Sequence, residues 1–331
     1  MQEKQNIRRL ILLAILVVAT VAVVAGRYWS DDALVEADLF RPQHLDEVNR
    51  ITLTSSRDTV DLRYDGRWKV NGRYDADRAM IEVLFATLQQ AVPKRPVANS
   101  MRDSITQALS RDGVAVALYS PDGPEGSFVA GGNEHKTQAY FKLPEGDIPY
   151  IMTIPGYRVY VSGIFEMPSP GWRDKYVFGF NWRNFEKLTA VFPGQRDGDF
   201  EVSANTLTGG FGITGLAEVD TTRLNDYLDA VSLLTVDQYM ADALLADSLA
   251  RATPQMNVTV TAVGDHVYTL SLFGTTDGAS YLVLINQKDV ALMSRRKLQS
   301  IVRLRGFLIQ NIGPSRLRRQ NTRVPKFLFL L

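Results

Sequence analysis

One pattern occurs twice in this chain, and a chain that repeats itself is constrained to build each copy on one plan. In the first copy, Arg67-Trp68-Lys69-Val70-Asn71-Gly72 leads to Asp77 and then to Ile81, Leu84, Phe85, Leu88 and Ala91. In the second, Phe211-Gly212-Ile213-Thr214-Gly215 leads to Asp220 and then to Leu224, Tyr227, Leu228, Val231 and Leu234. The aspartate stands nine residues after the aromatic in both copies, and the apolar residues follow it at offsets of 4, 7, 8, 11 and 14. That spacing marks one face of an α-helix, with the aspartate placed to accept from the free amides of the first turn.

Ahead of each helix, alternating polar and apolar residues predict strands, at Arg50 to Thr54, Thr59 to Tyr64, Arg67 to Val70, and again around Phe200 and Phe211. The expected fold class is α+β: an N-terminal single transmembrane helix, then duplicated modules of a small antiparallel sheet with one packed helix each. Trp68, Phe211 and Trp172 are expected in the module cores. Residues 47–180 form the first module, extended by a β-meander whose strands lie between glycines and prolines from Val114 to Ile154. Residues 181–243 form the second module. Residues 244–331 hold further strands, a helix and a basic tail, and read as a decayed third copy.

Leu10 to Gly26 is an apolar run without a charge. As a helix its 17 residues rise about 25 Å, just short of a hydrocarbon core. Tyr28 and Trp29 suit the headgroup boundary, so the expected transmembrane helix spans 10–29. Leu10, Leu13, Leu16, Val21, Val24, Tyr28 and Trp29 are its anchor residues. Lys4, Arg8 and Arg9 precede the run, and Asp31, Asp32, Glu36 and Asp38 follow it. The positive-inside rule places residues 1–9 in the cytoplasm and the bulk of the chain outside an inner membrane, beyond a linker at 30–46. A cleaved signal peptide, with Val23-Val24-Ala25 near the cleavage point, is the competing reading.

The chain has no cysteine and only three histidines, His44, His135 and His266, far apart in sequence. Disulfides and thiolate metal sites are thereby excluded. Glu134-His135 lacks a second histidine at metal-ligand spacing and reads as a solvated turn. Gly209-Gly210-Phe211-Gly212 lacks the Lys-Ser/Thr of a phosphate loop, and Ser162 has Tyr160 where a nucleophile elbow has glycine. No catalytic, cofactor-binding or metal-binding residue is therefore assigned.

Charge is distributed unevenly. From Ala291 to Leu331 there are ten cations and no acid, leaving 27 cations against 36 acids elsewhere. Arg295, Arg296, Lys297, Arg303, Arg305, Arg316, Arg318 and Arg319 are the expected contacts to an acidic partner or anionic lipid headgroups. A nucleic-acid partner is not expected, because aromatics are not interleaved with the arginines.

The tryptophan strand Arg67-Trp68-Lys69-Val70-Asn71-Gly72 with its capped helix resembles bacterial envelope proteins of the domain-of-unknown-function family 4340. So does the run Ala139-Tyr140-Phe141, Ile154-Pro155-Gly156-Tyr157 and Trp172-Arg173-Asp174-Lys175. The resemblance covers about residues 45–300. It implies a membrane-anchored protein, with ABC-type transporter subunits or gliding-motility components as partners, and it supplies no catalytic residues. The expected function is a non-enzymatic scaffold subunit of a cell-envelope assembly. The alternatives are a carboxylate-dependent hydrolase of glycan or peptide, its groove lined by Tyr140, Tyr150, Tyr157, Tyr160 and Trp172, and a lipid or small-ligand binding protein.

Overall fold

The structure, a computed structural model, describes residues 13–21, 35–205, 210–216, 218–240, 242–274 and 280–309. Residues 13–21 form an exposed helix, α1. Among the described residues no helix is long and apolar enough to cross a membrane, which corrects the expected transmembrane helix. Leu13, Leu16 and Val21 are exposed on α1; Leu10, Val24, Tyr28 and Trp29 lie outside the described residues.

The chain divides into two compact units between Ser169 and Pro170. The first contains β1 (Arg50–Thr54), β2 (Thr59–Asp65), β3 (Arg67–Val70), β4 (Tyr74–Asp75), α2 (Arg78–Gln90), β5 (Val92–Pro96) and α3 (Asn99–Asp112). β6 (Val114–Ser120), β7 (Gly123–Gly132), β8 (Ala139–Lys142) and β9 (Tyr150–Thr153) follow. All nine strands join one antiparallel sheet in the order β4-β3-β2-β1-β6-β7-β8-β9-β5.

The second unit contains β10 (Phe185–Val191), β11 (Phe200–Asn205), β12 (Gly210–Ile213), α4 (Thr221–Ser232), β13 (Gln238–Met240) and α5 (Ala243–Arg251). β14 (Met256–Ala262), β15 (His266–Phe273), β16 (Ser280–Ile285), β17 (Asp289–Ser294) and α6 (Arg295–Ile301) complete it. Its eight strands form a second antiparallel sheet, in the order β12-β11-β10-β14-β15-β16-β17-β13. Apart from the two-residue β4, each strand of the first sheet has a counterpart at the same place in the second. The helices correspond too, α2 with α4 and α3 with α5.

The expected small sheets with one helix each are thus corrected to two large sheets, of nine and eight strands. The block from Asn257 to Ile285, read as a third copy, supplies β14, β15 and β16, the counterparts of β6, β7 and β8. It completes the second sheet, because β14 returns to pair with β10 across two intervening helices. Local alternation identifies such strands but carries no information about which distant strand they join.

Burial explains the layering. In the second unit, Leu224, Tyr227, Leu228 and Val231 of α4 and Leu298 and Ile301 of α6 share one core with Leu188, Val202, Val258, Val260, Val283 and Ala291. Leu249 of α5 packs with Phe273, Leu284 and Val290 in a separate core. Val283 pairs with Ala291 and Leu284 with Val290, so successive residues of β16 and β17 feed opposite faces. In the first unit α2 buries Ile81, Leu84 and Leu88, while Ile105 and Leu109 of α3 pack with Val97 and Tyr140. Phe40, in the stretch read as a linker, is buried edge-on against Phe128, Phe141 and Tyr150.

Both repeat helices start at their aspartates. The Asp77 carboxylate accepts from the amides of Ala79 and Met80, at 2.9 and 3.4 Å, and Asp220 accepts from the amide of Arg223 at 3.1 Å. Replacing either with alanine leaves helix amides without that partner. D77A and D220A are each expected to lower stability by about 1 kcal/mol in urea unfolding.

Candidate functional site

Each unit carries a surface cleft, and the two lie at corresponding places in the repeat. The walls are the segment entering the first strand of the sheet and the outer side of the repeat helix. In the first unit Arg41, Pro42, Gln43, Leu45 and Asp46, ahead of β1, face Glu82, Phe85, Ala86 and Gln89 of α2 across about 580 Å³. In the second, Asp174, Tyr176, Phe178, Gly179, Phe180, Asn181 and Trp182, ahead of β10, face Asp229, Ser232 and Leu233 at the end of α4 across about 500 Å³. Ala86 and Gln89 stand nine and twelve residues after Asp77; Asp229 and Ser232 stand nine and twelve after Asp220.

The repeated aromatic sits behind each cleft. Trp68 is half-buried, with its ring centroid 5.5 Å from Phe85, which lines the first cleft. Phe211 is also half-buried, 5.0 Å from Trp182 of the second cleft and 5.3 Å from Phe185. Both residues therefore support a cleft-lining ring as well as the sheet.

The second wall is held by its own sequence. The Tyr176 amide donates to the Asp174 carboxylate at 3.0 Å, and the Val177 and Val236 amides exchange bonds with the Leu234 and Lys175 carbonyls. Asn181 and Asn184 close a tight loop around Trp182: the Asn181 amide donates to Asn184 Oδ1 at 2.6 Å, and Asn181 Oδ1 accepts from Arg183. At Gly179 a β-carbon would come within 2.7 Å of the Tyr268 hydroxyl, so a larger residue there requires the tyrosine ring to shift. Just upstream, Trp172 is fully buried, and Arg173 stacks 3.7 Å above the Tyr239 ring while pairing with Asp289 at 3.2 Å. That pair is only 11% and 17% exposed, so Arg173 pins the wall within its own unit.

The remaining polar clusters hold structure together. Tyr160 donates to Glu166 Oε1, whose second oxygen takes Lys136 Nζ at 2.7 Å. Burial, reinforced by the Glu166 carboxylate, pushes the Tyr160 hydroxyl far above its ordinary value. Ser162 is fully buried and donates to the Gly131 carbonyl at 2.6 Å, so its hydroxyl is not presented as a nucleophile. Tyr140 and Trp172 are buried as well, which leaves the aromatic set expected to line a hydrolase groove without two of its faces.

His44, Glu47 and Glu125 bring three potential ligand atoms within 4.8 Å of one another. Sequence reading missed this trio because Glu125 stands 81 residues beyond His44. Glu125 accepts from the Ser120 hydroxyl at 2.7 Å, which with His44 holds its carboxyl below the usual range. Glu134 and His135 are exposed in a turn.

The basic block is partly absorbed by the fold. Lys297 pairs with Asp237 at 2.7 Å, Arg303 stacks 4.6 Å from the Phe307 ring, and Arg305 donates to the Gly215 carbonyl at 3.4 Å. Arg295 and Arg296 are exposed on α6, whereas Arg316, Arg318 and Arg319 lie outside the described residues. No family model, curated protein or solved structure matches the chain.

Two outcomes follow from these contacts. Arg173→Ala removes the cation 3.2 Å from the Asp289 carboxylate in a largely buried place and is expected to cost about 3 kcal/mol in denaturant unfolding. Glu125 has a depressed folded pKa, so its stabilisation is present above the unfolded value and disappears as pH falls through the folded one. Glu125→Gln is therefore expected to be less stable than the parent near neutral pH, with the gap closing in acid melts.

Proposed function

We propose that this chain is a non-enzymatic binding or scaffold subunit of a cell-envelope assembly, accessory to an ABC-type transporter or a gliding-motility machine. The observation carrying this reading is one cleft built twice on one plan with unlike walls. The first wall offers Arg41, Gln43 and Asp46, while the second offers Tyr176, Trp182 and Asp174. A duplicated scaffold with diverged linings presents two recognition surfaces of different chemistry. Catalysis instead requires reactive groups that converge. The hydroxyls of Tyr160 and Ser162 are engaged with Glu166 and the Gly131 carbonyl.

The resemblance to family 4340 supports the envelope setting. Read as a cleaved export signal, the apolar run from Leu10 to Gly26, preceded by Lys4, Arg8 and Arg9, supports placement of the bulk of the chain outside the cytoplasm. Arg295 and Arg296, exposed on α6, belong to the basic block read as meeting an acidic partner or anionic lipid headgroups.

Co-purification from the native host in mild detergent tests the reading. Transporter or motility subunits are expected to accompany the parent in fixed stoichiometry and to be lost with Ala86→Arg, which fills the first cleft from the surface of α2. A chain that always emerges alone and monomeric overturns it.

A further inference from the structure

We propose that the second cleft binds a neutral oligosaccharide, with Trp182 and Tyr176 as stacking platforms and Asp229, Ser232 and Asn181 as partners for sugar hydroxyls. This rests on reading the clefts as recognition surfaces, but its test needs no partner protein.

Three large apolar side chains around this cleft face solvent: Trp182 at 46%, Tyr176 at 53% and Leu233 at 67%. Singly such residues are ordinary, but three bordering one depression mark a binding surface. The fold does not require them there. The same architecture in the first unit uses Arg41, Gln43 and Gln89 around its cleft. Beneath the exposed rings, Phe178 and Phe180 are buried, and Phe211 backs Trp182, so the platform is preformed.

The polar groups define the ligand class. Asp174 and Asp229 are the charged residues of the lining and both are acids, so a phosphate, sulfate or acidic sugar would meet repulsion. A neutral pyranose has an apolar face for the rings and hydroxyls that donate to carboxylates and to the Asn181 and Ser232 oxygens. Tyr176 and Trp182 are six residues apart on one segment, a reach of at most about 20 Å, so a short linear oligomer can engage both rings. Asp174 already accepts from the Tyr176 amide, and this holds that side of the cleft in place.

Titration of the purified full chain with cellotetraose, maltotetraose and N-acetylchitotetraose, followed by calorimetry and tryptophan fluorescence, tests the assignment. At least one is expected to bind at millimolar concentration. Trp182→Ala is expected to weaken that binding about tenfold. Trp182→Phe restores most of it, which separates loss of the ring from loss of fold. Asp229→Ala, on the exposed side of α4, is expected to weaken binding severalfold without changing the circular dichroism spectrum. Absence of binding by all three sugars overturns the proposal, as does binding unchanged in Trp182→Ala. Preferential binding of a tetra-arginine peptide that Trp182→Ala abolishes also overturns it, by making the cleft a cation site. Loss of envelope partners with Ala86→Arg while sugar binding persists would separate the two clefts experimentally.

Discussion

Each half of this protein depends on one strand pairing formed across a long stretch of chain. β1 pairs with β6 across four strands and two helices of intervening chain, and β10 pairs with β14 across three strands and two helices. At these seams Leu53 opposes Val116 and Leu188 opposes Val260, all four buried. The seam joins the N-terminal strands to the meander and makes one sheet of them. It fixes where the repeat helix lies and hence where the cleft opens. Such pairings close late in folding, because the entropy of a long loop is spent before the contact forms.

The sequence discloses most where the determinants are local. Asp77 and Asp220 begin helices whose buried faces are the residues at the repeated offsets, because capping and a 3.6-residue period act within a dozen residues. β1 and β2 are legible for the same reason. The completion of the second sheet by β14 to β17 is not, since it rests on pairing across more than fifty residues. Of the site, Trp68 and Phe211 stand out as repeated aromatics, but their place behind Phe85 and Trp182 is a tertiary fact. A local trace of the second cleft does exist. In Asn181-Trp182-Arg183-Asn184 a tryptophan sits between polar neighbours that form a self-bonded turn, an arrangement suited to exposure.

Duplication also explains the division of labour among charged groups. On the polar sheet surface the cross-strand pairs recur: Arg50 with Asp61 at 2.8 Å in the first unit, Lys187 with Glu201 at 2.7 Å in the second. Bonding to Lys187 lowers the Glu201 carboxyl, as expected for a carboxylate beside a cation. These exposed pairs contribute little individually. The Arg173–Asp289 contact differs because it is largely withdrawn from water and fastens the wall of a cleft.

The sheet borders shape how this protein can meet anything else. β4 has two residues, β13 has three, and β5 carries Pro93 and Pro96 with a register shift between Pro93 and Arg95. A border so short or so interrupted offers an incoming chain few consecutive amides and carbonyls. Growth by adding a stranger's strand is discouraged at these three borders, and with it the indiscriminate stickiness that broad sheets invite. Contact is steered instead towards side chains, where selectivity resides.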